Sequence, residues 1–377
     1  MAEGRPRKVI VDTDGGIDDL LALALALKSP EVEIIAITTV HLPTHTGRIL
    51  TMWPRISAAQ VCGNVPVDRA TSNIQLLFHY MQKQEGGNKL RFPHILAVGA
   101  PKPLRRLLVT AEYFHGEDGV GGITTLKDEA TDTLIYAPPQ GNFTLHHQPA
   151  VDVLLDLLRT HEPGEITILT IGPLTNIALA AEADIETLRR VHEIVIMGGA
   201  FFAPGNVTPH AEYNIYADPE AAKVVCEARL PLVFVPLDAT HLVPFAEESL
   251  RPWSDKSPIA KFVTDLTAKA YGRKVVAHCS NSAPRFQLND VSADTFHLHD
   301  PVATVVAIDE EQRMTKRKRF GSAVVDCTPE FDGKTTVTEA VVKADDEEGT
   351  RRAYVDVVLE VETDRVLSFF MERVLHP

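Results

Sequence analysis

The sequence predicts an α/β fold, a single domain on an open, mostly parallel, Rossmann-like sheet with helices on both faces. Three observations predict it. Short β-branched runs alternate with helical patterns along the 377 residues. The strand-like runs are apolar at successive positions, as in parallel strands covered on both sides. They also end in glycines or polar residues, and the carboxyl ends of such strands are where open α/β sheets bind ligands.

The elements follow in order. "KVIVD" is the first strand and leads into a helix, "DDLLALALALKS"; "VEIIAITTV" is the next strand. Later "EITILTIGPL" precedes the helical "TNIALAAEA", and "HEIVIMGG" is followed, past a loop, by "DPEAAKVVCEA". "PLVFVPL" is a further strand, and "AYVDVVLEVETDRVLSFFMERVLHP" reads as a strand and an amphipathic helix that close the domain. Residues 126–147 read as a surface loop, and residues 310–352, with "KRKR" and "DDEEG", as solvated hairpins or loops. No internal repeat or low-complexity linker divides the chain, so 1–377 is taken as one domain.

Hydrophobic residues make up 45% of the chain and charged residues 23%, which suits a sizeable core. The net charge of −14 argues against nucleic acid or an anionic membrane as partner. "MAEGRPRK" contains no apolar signal core, and no later stretch of about 20 residues is apolar enough to span a bilayer. Cys62, Cys226, Cys279 and Cys327 lack metal-type spacing, so the expectation is reduced thiols in a cytoplasmic protein, with the sequons at Asn142 and Asn206 unglycosylated.

Chemistry concentrates in "VDTDGGIDD", which crowds Asp12, Asp14, Asp18 and Asp19 together. Asp12 and Asp14 alternate about Thr13 and would point the same way on a strand. Asp18 or Asp19 alone would be an ordinary helix-start carboxylate. Capping uses one carboxylate, however, and a hard cation such as Ca²⁺ or Mg²⁺ uses several and relieves their repulsion. The same letters resemble the D-x-D-G start of haloacid-dehalogenase-type phosphatases, but no convincing later Ser/Thr, Lys and acidic pair completes that pattern.

Further along stand "CGNVPVDRATSN", "YFHGEDGVGG", "TIGPLTNIALA", "IVIMGGAFFAPGNVTPHAEYNIYADPEAA" and "FHLHDP". With the aspartate motif, and in this order from residue 8 to about residue 305, they resemble the inosine–uridine-preferring nucleoside hydrolases. The part from 306 to 377 is only loosely similar. The resemblance implies hydrolysis of ribonucleosides to ribose and free base, in purine and pyrimidine salvage, by a water that a bound Ca²⁺ activates. It implies Asp14, Asp19, Asp300 and the main-chain carbonyl of Ile171 as the metal ligands, with Asp14 also the base. Asp18, Asn64, Asn206, Glu212 and Asn214 match ribose contacts, and Met197 a pocket wall beneath the sugar. His299 matches the histidine that helps the departing base, and His115 one near the base in some members. Family members are commonly dimers or tetramers, so a homo-oligomer is expected, with a nucleoside as its small-molecule partner.

The chemistry agrees with those roles. Breaking a ribosyl C1′–N bond builds positive charge on the sugar and negative charge on the base, and carboxylates around the ribose favour an oxocarbenium-like state. Each residue also has a plainer reading. His299 beside Asp300 could be a surface pair, His115 a turn residue, Met197 a core side chain, and Asn206, Asn214 and Glu212 ordinary loop groups. His297 and Asn176 are expected to be structural, and Trp53 and Trp253 to pack rather than stack on a base. A phosphatase, or a ribonucleoside-binding protein without turnover, are the alternatives.

Two departures from the family stand out. Gly15 occupies a position where most members carry proline, which predicts a more mobile loop. Residues 41–60, "HLPTHTGRILTMWPRISAAQ", separate "ITTV" from "CGN" where the family runs almost directly on, and are expected to be an insertion at the pocket rim that could displace Asn64.

Overall fold

A computed structural model describes residues 5–39, 67–84, 95–100, 102–107, 111, 115–128, 130–136, 145–254, 256–268, 295–339 and 354–376. The β-branched runs form the strands: β1 (Arg7–Thr13), β2 (Val32–Thr39), β3 (Leu96–Val98), β4 (Ile166–Thr170), β5 (Ile194–Met197), β6 (Leu232–Val235), β7 (Pro244–Ala246), β8 (Thr295–His297), β9 (Thr315–Phe320), β10 (Ala323–Val325), β11 (Thr335–Val337) and β12 (Val355–Val361). An eight-stranded sheet runs in the order β3-β2-β1-β4-β5-β6-β12-β9, while β7 with β8 and β10 with β11 make two-stranded sheets. Within the large sheet every pairing is parallel except that of β12 with the edge strand β9.

Alternate side chains of the central strands enter two separate cores. Val9, Val11, Leu169, Val195, Met197, Val233 and Val235 join one, and Ile10, Ile168, Ile194, Ile196, Leu232 and Phe234 the other. The helices are α1 (Ile17–Leu27), α2 (Val67–Gln84), α3 (Ala150–Thr160), α4 (Thr175–Leu188), α5 (Tyr213–Ala217), α6 (Pro219–Glu227), α7 (Leu237–Thr240), α8 (Glu247–Leu250), α9 (Pro258–Ala268), α10 (His299–Ile308) and α11 (Thr363–Phe370). α1, α2, α9, α10 and α11 cover the first face, and α3, α4 and α6 the second. The sheet is therefore covered on both sides, as expected. α1 is buried from Ile17 to Ala26, consistent with its lack of a polar stripe.

Strand order reverses between β1 and β4, which lie side by side though more than 150 residues apart. At such a switch point the loops leaving neighbouring strands diverge and open a crevice at the carboxyl ends. Here the main-chain N–H of Ile171, just past β4, donates to the carbonyl of Asp12 at 2.8 Å. The aspartate motif and the G-P-L-T-N turn thus leave the sheet together.

Two sequence expectations are corrected. "KRKR", read as part of a solvated hairpin or loop, is indeed mostly exposed, but it belongs to β9, an edge strand of the main sheet, while β10 and β11 in the same stretch form an antiparallel pair. Alternation along the strand turns Arg317 inward onto Glu193 at 2.6 Å, with side chains only 12% and 14% exposed, while Lys316 pairs with Glu360 in the open. The stretch from 126 is not all surface either. Tyr136 is buried, donates its hydroxyl to Asp265, and packs against the rings of Tyr80 and Phe262. Residues 41–60, with Trp53, Cys62, Asn64, Asn142 and Cys279, lie outside the described residues. The stretch from 306 onward supplies β9, β12 and α11 to the main body. No helix among the described residues is long and apolar enough to cross a membrane.

Glu193→Ala strands the inward guanidinium of Arg317 and is expected to destabilise the fold by about 2–4 kcal/mol. Lys316→Ala on the same strand is expected to change stability by less than about 1 kcal/mol. Urea unfolding of the two variants checks the contrast, and equal effects would refute the inward placement of Arg317.

Candidate active site

β1 ends at Thr13 and the chain turns sharply into α1. Gly15 makes the turn with φ +70°, and a Cβ there would lie 2.5 Å from Cα of Ala70. Glycine is needed for both reasons, and proline, whose ring holds φ near −65°, cannot adopt this turn. The turn is therefore packed closely against α2. Asp19 tightens it: one carboxylate oxygen accepts from the Thr13 hydroxyl at 2.5 Å and the Asp14 N–H at 3.1 Å, the other from the Gly16 N–H at 2.9 Å. The helix-capping reading is thus true of Asp19, and it accounts for one carboxylate only.

Asp14 and Asp19 are wholly buried, Asp300 is 2% exposed and Asp18 8%. Oxygens of Asp18, Asp19 and Asp300 lie within 4.8 Å of one another. Gly172, after β4, leaves room for Asp14, whose Cβ and Cγ are 3.2 Å from where a Cβ would sit. Burial, and then the charges of Asp18, Asp19, Asp14 and Glu212, push the Asp300 carboxyl well above the ordinary carboxylate range. Burial first, and the charge of Asp19 second, raise Asp18 to about 7. One oxygen of Asp18 is buried with no hydrogen-bond partner among the described residues. Buried carboxylates crowded in this way, one with an oxygen left without a hydrogen bond, could hold a hard cation. The sequence placed Asp18 on the ribose; its oxygen stands in the same acidic group as Asp19 and Asp300.

The opposite wall comes from the loop after β5. Asn214 donates through Nδ2 to the main-chain oxygens of Met197 at 3.2 Å and Ile171 at 3.4 Å, so the expected carbonyl ligand and the expected pocket wall are joined by one amide. Glu212 caps α5, accepting from the N–H groups of Asn214 and Ile215, and also from that of Gly199 at 3.0 Å. Burial raises its pKa. Asn206, half-buried, closes the loop by accepting from the Tyr213 N–H at 3.0 Å.

Two histidines face this centre. The His115 ring accepts the Ile17 N–H on Nδ1 at 3.1 Å, and that nitrogen lies 4.0 Å from Asp18 Oδ1. Because Nδ1 is an acceptor, the ring proton of neutral His115 sits on Nε2. His299 opens α10 next to Asp300 and lies close enough to Asp18 and Glu212 to lower both their pKa values against the effect of burial.

Asp12, Asp238 and Thr240 carried no role in the sequence reading, whereas Asn176 was expected to be structural. Asp12 accepts from the Thr38 hydroxyl at 2.5 Å and from Asn176 Nδ2 at 2.7 Å, and burial raises it to about 7. Asn176 also accepts the Ala100 N–H and donates to the Thr39 carbonyl, binding the ends of β1 and β2 together as a structural amide. Asp238 and Thr240, on α7, contact the site loop and His299. Their available signal was position: "PLVFVPLDATH" is another strand end on the same side of the sheet.

Against known proteins, the sequence profile of the inosine-uridine preferring nucleoside hydrolases matches residues 9–49 and 56–368. The chain belongs to this family. It is a nucleoside hydrolase, an enzyme that cleaves the N-glycosidic bond of ribonucleosides. An inosine-uridine preferring nucleoside hydrolase of Leishmania major is 31% identical over 317 residues, 83% of this chain and 82% of its own. An uncharacterized Schizosaccharomyces pombe protein is 39% identical over 234 residues, 62% of each chain. The structure of a plant nucleoside hydrolase aligns over 99% of this chain and 100% of its own, with a TM-score of 0.74 and 29% identity. Neither the phosphatase nor the turnover-free alternative is favoured by these matches.

Two expectations follow for the hydrolase. Asp12 and Asp18, raised to about 7 when folded, hold protons that the unfolded chain releases near its ordinary carboxylate values. Without divalent cations, stability therefore falls as pH rises from about 4 to about 7. Millimolar Ca²⁺, which favours ionised carboxylates, restores the melting temperature most at the upper end; scanning calorimetry in chelator and in Ca²⁺ reads both effects, and a cation-independent profile would refute the donor set. Gly15→Ala should destabilise by about 2 kcal/mol or more, combining strain and collision. Gly164→Ala, at φ +80° with open space around it, should lose only about 1 kcal/mol. Denaturant midpoints compare them.

Proposed function

We propose that this nucleoside hydrolase breaks the C1′–N bond by direct attack of water, with Asp14 as base and His299 as proton donor to the leaving base. The observation that carries the reading is the orphaned oxygen of Asp18 within a buried group of acids at the strand switch point, with His299 on its rim. The donor set suits Ca²⁺, held by Asp14, Asp19, Asp300 and the carbonyl of Ile171, beside Asp18. When bound, the cation supplies the positive charge that makes a neighbouring water a stronger nucleophile and holds the ribose hydroxyls.

The chain's own groups do the rest. Asp14 accepts a proton from the attacking water, whose oxygen bonds C1′ as the C1′–N bond breaks. The bonding pair leaves with the base nitrogen, and His299 supplies a proton to it. Asp18, Asn64, Asn206, Glu212 and Asn214 bind the ribose, Met197 packs beneath it, and His115 lies toward the base. Carboxylates near the sugar favour its developing positive charge over its neutral ground state. Attack without a covalent intermediate inverts the anomeric centre. Ribose and free base are the products, available for salvage.

The same reading makes the protein a cytoplasmic homo-oligomer, a dimer or tetramer, as family members commonly are. It has no nucleic-acid or membrane partner, in keeping with a net charge of −14.

Incubation with inosine and with uridine, in Ca²⁺ and in chelator, tests the reading through release of reducing sugar. Cation-dependent release supports it; binding without turnover, or phosphate release from phosphoesters, overturns it. Asp14→Ala is expected to lower kcat by about a thousandfold or more. Asp300→Ala is expected to weaken Ca²⁺ binding measured by calorimetry, and full activity in either variant would remove that residue's role.

A further inference from the structure

His299 is the group in the proposed mechanism whose ring must present one particular nitrogen, and the structure contains an element that orients it. α7 is a single turn after β6. Thr240, its last residue, is wholly buried, and its hydroxyl lies 2.7 Å from His299 Nδ1. The turn itself is firmly held. Asp238 accepts the N–H groups of Phe201, Phe202 and Ala203 at 2.8–2.9 Å, and the Leu237 N–H donates to the Gly199 carbonyl at 2.9 Å. On the other side the Leu298 N–H donates to the Val243 carbonyl at 3.2 Å, and β7 pairs Pro244 with His297. The backbone beside His299 therefore hangs from the segment that follows Thr240, which keeps the hydroxyl and the imidazole in register.

We propose that Thr240 is a positioning residue: its hydroxyl accepts the Nδ1–H of His299, so that Nε2 is the nitrogen turned toward the departing base. The inference rests on His299 as the proton donor. When Nε2 gives its proton to the base nitrogen, the C1′–N pair has already passed to that nitrogen, and the ring is left neutral with Nδ1–H still bonded to Thr240. A hydroxyl suits this role because it adds no charge beside Asp18 and Glu212, and a buried threonine has few alternative rotamers. The same turn grips the loop that carries Asn206, so one short element sets both the ribose side and the base side of the pocket.

Thr240→Val keeps the shape and removes the bond, and Thr240→Ser keeps the bond. In Ca²⁺-supplied enzyme, Thr240→Val is expected to lower kcat on inosine and uridine by about 10- to 100-fold, with KM moving less than about threefold. Thr240→Ser should recover most of that loss. On p-nitrophenyl β-D-riboside, whose phenolate leaves without protonation, the loss should shrink to less than about threefold. Equal losses on nucleosides and on the aryl riboside, or no loss on either, would overturn the proposal. Nitrogen NMR of histidine-labelled wild-type protein is independent of any folding defect, with His299 assigned by its absence in His299→Gln. The donating ring carries protons on both nitrogens; at a pH high enough to make it neutral, retention of the proton on Nδ1 supports the proposal, and retention on Nε2 overturns it. Nucleoside turnover undiminished in His299→Gln would instead refute the donor reading itself.

Discussion

Asp18, Asp19 and Asp300 are buried against one another with Asp14 near enough to repel them, and this mutual repulsion is the constraint on which the rest of the site depends. Removing even one carboxylate from water is costly, and several together ionise only when a positive charge lies among them. The raised pKa values of Asp18 and Asp300 express the cost in the protein alone. They also describe a centre prepared for a divalent cation, whose binding would exchange protons for metal. A pocket that holds a hard cation at its base can then present that charge to the hydroxyls of a sugar and to water.

The fold softens the repulsion before any cation arrives. Asp18 and Asp19 lie in the first turn of α1, and Asp300 in the first turn of α10. Two helix amino termini, each carrying partial positive charge, therefore converge on the acids. The strand switch between β1 and β4 supplies the crevice, and Gly15 and Gly172 let the backbone and Asp14 come close enough to fill it. The carboxylates are thus placed by the most rigid parts of the molecule, strand ends and helix starts.

Several residues of the proposed site also hold its architecture together. Asp19 ties the β1 turn to α1, Glu212 caps α5 while pinning Gly199, and Asn214 joins the loop after β4 to the end of β5. A functional and a structural reading of these residues do not compete, because a group already locked by backbone amides is a group whose remaining lone pairs point in a fixed direction. In the proposed mechanism, such pre-organisation would favour the sugar's developing charge without reorganisation during the reaction.

Local chemistry made much of this legible in the amino-acid order. The doubly covered parallel sheet follows from runs such as "ITILT" and "IVIM", and the acidic centre from four aspartates where capping needs one. His299 and Asp300 were marked only by the resemblance of "FHLHDP" to the nucleoside hydrolases. Other features arise only when distant segments meet. "KRKR" reads as a solvated run until β9 pairs with β12 and turns Arg317 onto Glu193. Tyr136 reads as loop until Phe262 and Tyr80 enclose it. Part of the reason Gly15 carries no side chain is a contact with Ala70, 55 positions away, and Thr240 acquires its place from a histidine 59 positions later. Periodicity and crowding of like charges are written along the chain because they act between near neighbours; burial, orphaned atoms and the direction of an imidazole depend on which remote surfaces pack together, and only the folded structure decides those.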